Sequence, residues 1–312
     1  MNEMKANVIL HSAIIFMIIT CIIKFIIVFP LPAHHIPSID SQGFNNHSYP
    51  LLDYRGKIYC IGTSITCGSV YHDCDHSLLG SSDVVSHSYE YWFDYIMLNK
   101  YNVRMNTSDW YQNTSYEESW DKYIIGTGGG QNNDDGTTGM RLSNIPSTIN
   151  NEYGRGVWRW RQTNWRDVSY LIVEGGCHEL SEYKSTSVLQ EIENALQEIY
   201  TQSKQYGYTV VLLASTPCKE EYVPHYLIDG CNKIKESFVQ NHPDIVYVDC
   251  FNSHLTEIIV PYDLFTSIFT PCSIWFYNNV LFYDGVHPNH NGYQYLGLLI
   301  ADAIYKDIRS KI

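Results

Sequence analysis

The pattern of apolar and polar positions divides the chain into three stretches. Residues 8–29 are apolar except for His11, Ser12, Thr20 and Lys24, and Pro30 and Pro32 end the run. Hydrophobicity runs round every helical face, and the length nearly spans a hydrocarbon core. The run is longer than the apolar part of a cleavable signal and has no clear small-residue cleavage site, so residues 1–32 read as a signal anchor in preference to a signal peptide. Lys24, near the end of the run, can snorkel to the interface. Residues 33–55, with Pro37, Pro50 and little periodicity, read as a stalk or linker. The third stretch, 56–312, is the folded body.

Within that body short apolar runs alternate with helical stretches. Strands are expected at 57–62, 123–125, 167–176, 208–216 and 244–250, each ending in turn residues. Helices are expected over 83–100, 187–205, 226–240 and 291–308. Continuous β-branched runs alternating with helices imply a parallel sheet buried on both faces. The expected fold class is therefore α/β, a three-layer α/β/α sandwich around a mostly parallel sheet of about five strands. Two segments break the alternation. Residues 101–120 read as a surface insertion, and 251–279 as a cap or a poorly periodic helical excursion.

Composition and charge narrow the partners. A hydrophobic fraction of 45% with 14% aromatics excludes a disordered chain. A net charge of −13 without a basic stripe excludes a nucleic-acid partner. Asn46, Asn106 and Asn113 each begin an N-glycosylation sequon. Outside the apolar segment stand Cys60, Cys67, Cys74, Cys177, Cys218, Cys231, Cys250 and Cys272, an even set compatible with disulfides in an oxidising compartment. Sequons and cysteines together point to a glycoprotein body on the lumenal or outer side of a membrane, with secretion as the alternative. No His/Cys cluster has zinc spacing, so no metal is expected.

In an open α/β sheet, ligands gather beyond the carboxyl ends of the strands. The residues there include Gly62-Thr63-Ser64, the glycine block 126–130, Gly176-Cys177-His178-Glu179 and Asp284-Gly285-Val286-His287. Ser64 sits where a strand turns toward a helix, so it reads either as a nucleophile with backbone N–H groups beside it or as a helix N-cap. Asp284 and His287 read as the orienter and base of such a nucleophile, or as an Asp-Gly turn with a solvated histidine. The glycine block lacks the Gly-Lys-Ser/Thr ending of a phosphate loop, and no cofactor is expected. The run "VWRWRQTNW" at 157–165 is either a stacking surface for a glycan or acidic ligand or the cover of a core edge. Cys177 reads as buried or disulfide-bonded in preference to a catalytic thiol. His290 reads as a solvated residue at the start of the last helix.

Taken together, "GTSIT" at 62–66 and "DGVHPNHNGYQYLG" at 284–297 resemble the GDSL/SGNH hydrolase family of esterases, with order and position matching over residues 57–308. The resemblance implies the family's flavodoxin-like sandwich and a Ser-His-Asp triad of Ser64, His287 and Asp284. It also implies an oxyanion hole built from the N–H groups of Ser64 and Gly129, with Gly128 as the alternative frame. His178 takes the place of the family's asparagine donor, and Thr63 that of its aspartate. Losing an oxyanion donor costs roughly 2.7–4 kcal/mol of transition-state stabilisation, but an imidazole N–H can donate in its place. The implied activity is ester hydrolysis, and the secretory setting with the aromatic-rich surface runs puts O-acyl esters, O-acetyl groups on glycans above all, first among the substrates. A lipid ester, acyl transfer to a sugar hydroxyl, and a surface glycoprotein that binds without turnover are the alternatives.

Overall fold

A computed structural model describes residues 51–54, 57–66, 89–104, 141–149, 168–253, 255–260, 274–277, 281–282 and 284–312. All of them belong to one compact unit, Gln42–Ile312, and the other unit, Met1–Ser41, lies outside the described residues. So do Asn46, Asn106, Asn113, Gly128, Gly129, the strand expected at 123–125 and the tryptophan run at 157–165. No helix among the described residues is long and apolar enough to cross a membrane.

In chain order the elements are β1 (Leu52–Asp53), β2 (Lys57–Ile61), α1 (Tyr89–Tyr101) and β3 (Val103–Arg104). A 3-10 turn (Leu142–Asn144) leads into α2 (Ile145–Ile149), then β4 (Val168–Val173), α3 (Cys177–Tyr183), α4 (Val188–Tyr206) and β5 (Thr209–Leu213). The chain ends with α5 (His225–Asn241), β6 (Val246–Val248), β7 (Thr256–Val260), β8 (Ile274–Tyr277) and α6 (His290–Ser310).

The central sheet has four described strands in the order β2-β4-β5-β6, all parallel. Its strands are short runs such as "VSYLIV" and "TVVLL", the β-branched composition that a doubly covered sheet requires. Successive side chains of β4 point to opposite faces, yet Tyr170, Leu171, Ile172 and Val173 are all at most 1% exposed. Both faces are therefore covered, giving the three layers expected from the pattern. On one side Tyr170 hydrogen-bonds Asp307 of α6, against which α1 packs. The second group of helices is α4 with α5, joined by α2 and α3.

Several described elements differ from the sequence reading, among them the short helix α2 at Ile145–Ile149. Residues 52–53, at the end of the segment read as stalk, pair in parallel with Val103–Arg104, which the pattern placed in a surface insertion. Within 251–279, β7 and β8 pair antiparallel where a cap or helical excursion was expected. The runs "TEIIV" and "IWFY" have the β-branched and aromatic content that favours this. The short helix α3 begins within the "GGCHEL" block.

The disulfide expectation is corrected for the five cysteines described. Cys60, Cys177, Cys218, Cys231 and Cys250 are all buried, and none of the five forms a disulfide. Cys250 Sγ donates to the Ala214 carbonyl at 2.8 Å, and Cys231 Sγ lies 3.4 Å from Ser215 Oγ. Burial pushes the Cys218 and Cys250 thiols up to about 12, so they act as small core residues. These five lend no support to an oxidising compartment. Cys67, Cys74 and Cys272 lie outside the described residues.

Candidate active site

Ser64 follows β2 by three residues, in a turn at the carboxyl end of the sheet. Its Oγ lies 2.8 Å from His287 Nε2, and His287 Nδ1 lies 2.8 Å from Asp284 Oδ2. The three residues named from two distant motifs thus form one unbroken line of hydrogen bonds. A carboxylate can only accept, so Nδ1 carries the imidazole proton and Nε2 is left to accept from the Ser64 hydroxyl. That is the tautomer a general base needs.

The loop that carries the base is fixed at several points. Asp284 Oδ1 accepts from the N–H of Val286 at 2.9 Å and of His287 at 2.8 Å, so one carboxylate both closes the turn and orients the ring. Gly285 makes that turn possible with φ of +83°, a left-handed conformation unfavourable to other residues. Phe282 and Pro288 form an antiparallel bridge, and Asn289 N–H donates to the Leu281 carbonyl. The Asn289 side chain then caps α6 by accepting from Gly292 N–H at 3.1 Å. Lys219 N–H donates to the Gly285 carbonyl, tying the loop to the segment after β5. His290, exposed at the first position of α6, meets Trp92 edge-on.

Burial by itself would raise the Asp284 carboxyl. The hydrogen bonds from His287 and Val286 outweigh it and hold the group below the usual carboxylate range. Asp284 therefore stays ionised beside the imidazole, as an orienting carboxylate must.

His178 occupies the first turn of α3, after β4. Its Nε2 is 4.0 Å from Glu182 Oε2, and Glu182 is also gripped by Arg141 Nη2, 2.5 Å from each carboxylate oxygen. The family resemblance puts this residue at the position of an oxyanion donor, and Gly129, the other position so implied, lies outside the described residues. Cys177 is buried with its thiol pushed well above its ordinary value, chiefly by burial, and its Sγ faces the Thr216 carbonyl at 3.8 Å. A thiolate nucleophile is not prepared there. No cluster of potential metal ligands is present among the described residues.

Two buried carboxyl groups were given no role by the sequence reading. Glu174, directly after β4, turns its Oε2 toward the Ser64 loop. Its signal was visible, since an acidic residue ends the otherwise apolar run "LIV" before two glycines. Glu179, on α3, accepts from Ser143 N–H at 3.3 Å with Oε1, while its Oε2 is buried without a partner.

Burial pushes the Glu179 carboxyl up to about 7, against the pull of hydrogen bonds from its own N–H and those of Ser143 and Leu142. The folded protein thus holds this proton more tightly than the unfolded chain does. The contribution is fully favourable below the ordinary carboxylate range and is lost as pH rises through about 7. Glu179→Gln, neutral throughout, is expected to abolish that loss. Urea denaturation of both proteins at about pH 5 and about pH 8 should show a wild-type decline, relative to the variant, of a few kcal/mol. Parallel pH curves would refute the assignment.

No protein-family model matches the chain, and no curated protein matches it by sequence. Among solved structures the chain is similar to an α/β hydrolase enzyme from the metagenome of Lake Arreo, at 14% identity and a TM-score of 0.46, covering 80% of this chain and 94% of that one. It is similar to the acetyl xylan esterase AlAXEase at 11% identity and a TM-score of 0.47, covering 80% and 99%. A GDSL-like lipase from Bacteroides thetaiotaomicron matches at 14% identity and a TM-score of 0.45, covering 81% and 89%. The last carries the name of the family that the two motifs resemble. Scores this low assign neither activity nor substrate, which rest on the side chains.

Proposed function

We propose that this chain is a serine ester hydrolase in which Ser64 is the nucleophile, His287 the general base and Asp284 the orienting acid group. The observation that supports this reading is the hydrogen-bonded line from Ser64 Oγ through His287 to Asp284. As Ser64 Oγ attacks an ester carbonyl, its proton passes to His287 Nε2. The resulting imidazolium is held by Asp284 and returns that proton to the leaving alcohol when the tetrahedral intermediate collapses to an acyl-enzyme. His287 then deprotonates a water, which releases the acid and restores Ser64. The developing oxyanion is held by the N–H groups of Ser64 and Gly129, with His178 as a side-chain donor. No cofactor takes part.

The substrate class we assign is an O-acyl ester, with O-acetyl groups on glycans as first choice. The sequons at Asn46, Asn106 and Asn113 and the apolar segment 8–29 support a secretory or cell-surface setting in which such glycans occur. Lipid esters and acyl transfer to a sugar hydroxyl are separated from it by product assays on the same acyl-enzyme. A fluorophosphonate probe tests the central claim. The full-length wild type is expected to label at Ser64 and Ser64→Ala is expected not to. A folded wild type that does not label, or equal labelling of Ser64→Ala, would overturn the hydrolase reading in favour of a binding glycoprotein on this fold.

A further inference from the structure

We infer that Glu174 is a positioning residue for Ser64, clamping the nucleophile's turn from the end of the neighbouring strand β4. This rests on the reading of Ser64 as the nucleophile and adds a residue that neither motif contains.

Glu174 N–H donates to the Ile61 carbonyl, so the β2–β4 pairing carries on to the point where both strands end. From there a single oxygen, Oε2, accepts from Thr63 N–H at 2.8 Å, Thr63 Oγ1 at 2.6 Å and Thr66 Oγ1 at 3.2 Å. Thr63 Oγ1 in turn accepts from Ile65 N–H at 3.2 Å, and Tyr89 OH donates to Thr66 Oγ1 at 3.2 Å. The residues before and after Ser64 are thereby fixed through one carboxylate, and Ser64 is left between them to face His287. Gly62 leaves room for this, because a Cβ there would lie 2.8 Å from Glu174 Oε2 and 2.2 Å from Thr66 Oγ1.

The arrangement is poor economy for folding alone. Glu174 is 1% exposed, and its second oxygen, Oε1, is buried without a partner. A buried carboxylate left half-satisfied is destabilising, and a neutral glutamine of the same shape would relieve that cost. What a glutamine lacks is the stronger, charge-assisted grip on the Thr63 N–H and the two threonine hydroxyls. A nucleophile displaced by about 1 Å can lose a hundredfold in rate, so a firmer turn has a catalytic use.

The experiment uses the full chain as wild type, Ser64→Ala, Glu174→Gln, Thr63→Val, Thr63→Ser and the double variant Glu174→Gln/Thr63→Val. It measures the rate of fluorophosphonate labelling, kcat and KM on p-nitrophenyl acetate, and the Tm. Glu174→Gln is expected to slow labelling and kcat by about tenfold or more, with KM unchanged and Tm equal to or above wild type. Thr63→Val should slow both, Thr63→Ser should not, and the double variant should be little slower than Glu174→Gln, because both changes break one link. If the wild type labels at Ser64 while Glu174→Gln labels equally fast, the inference fails and the hydrolase reading stands. Rate losses that simply multiply in the double variant would also defeat it. Should Glu174→Gln fail to fold, the Thr63 pair decides, and Thr63→Val at the wild-type rate overturns the clamp. A wild type that does not label removes both readings together.

Discussion

Replacing His287 with alanine is expected to lower kcat on p-nitrophenyl acetate by about ten-thousandfold or more, with fluorophosphonate labelling falling in step. The size follows from what His287 does. A serine hydroxyl is a weak nucleophile at neutral pH, and its proton must leave as the new C–O bond forms. His287 Nε2, 2.8 Å from Ser64 Oγ, is already hydrogen-bonded to that proton, in the tautomer that Asp284 enforces. Alanine removes the acceptor, and a water in the vacated space is a poor replacement as a base. The fold should survive. His287 is 19% exposed at its side chain, and its turn is held by backbone bonds to Asp284 that alanine keeps. Stability should change by about 1.5–3 kcal/mol, the scale of one hydrogen bond to a charged group. A folded His287→Ala protein that kept wild-type turnover would remove His287 from the mechanism, and with it the proposed function.

How much of this was legible in the sequence depended on whether a residue's partner was close by in the chain. "DGVHPN" was readable because its work is local: Asp284 closes its own turn, His287 lies three residues on, and Asn289 caps the helix that follows. The four described strands of the central sheet and helices α1, α4, α5 and α6 were readable for the same reason, since periodicity is a local property. Glu174 was visible as an acidic residue ending an apolar run, but its role was not, because that lies with Thr63, 111 residues earlier. Thr63 itself looked like a mild departure from the family's aspartate, yet its hydroxyl links Glu174 to the N–H beyond Ser64. The carboxylate that the sequence lacks beside the serine arrives from the neighbouring strand.

The cysteines show the opposite error, in which a count stood in for position. Eight thiols outside the apolar segment suggested pairing, but Cys60 lies within β2, Cys231 within α5, and Cys250 bonds a carbonyl at the end of β5. Each is explained by packing at its own place. A similar lesson applies to Lys235, a lysine of α5 that the sequence reading did not mention. It is fully buried and donates to the carbonyls of Gly175 and Leu213 and to Ser215 Oγ. It ties α5 to the carboxyl ends of β4 and β5, close to the turn that positions His178. Charge buried at this end of the sheet serves the geometry of the loops that leave it.

Asp284→Asn should give a second loss of about ten-thousandfold in kcat, through a different route and with the site's shape intact. Asn has one acceptor and one donor where Asp has two acceptors. The N–H groups of Val286 and His287 both point at Oδ1, so the amide oxygen must take that place to keep the turn closed. Its NH2 group is then forced to face His287 Nδ1, which can accept only if it carries no proton. The imidazole proton moves to Nε2, where it points at Ser64 Oγ and donates to the hydroxyl that it should deprotonate. Asp284→Ala breaks the turn as well as the tautomer and should lose both stability and activity, whereas Asp284→Asn should lose activity with little change in Tm. Nitrogen-15 shifts of the His287 ring give the direct reading: Nδ1 protonated in the wild type, Nε2 protonated in Asp284→Asn. An unchanged tautomer in a slow variant would mean that Asp284 acts by charge alone; an unchanged rate would mean that the pair is structural.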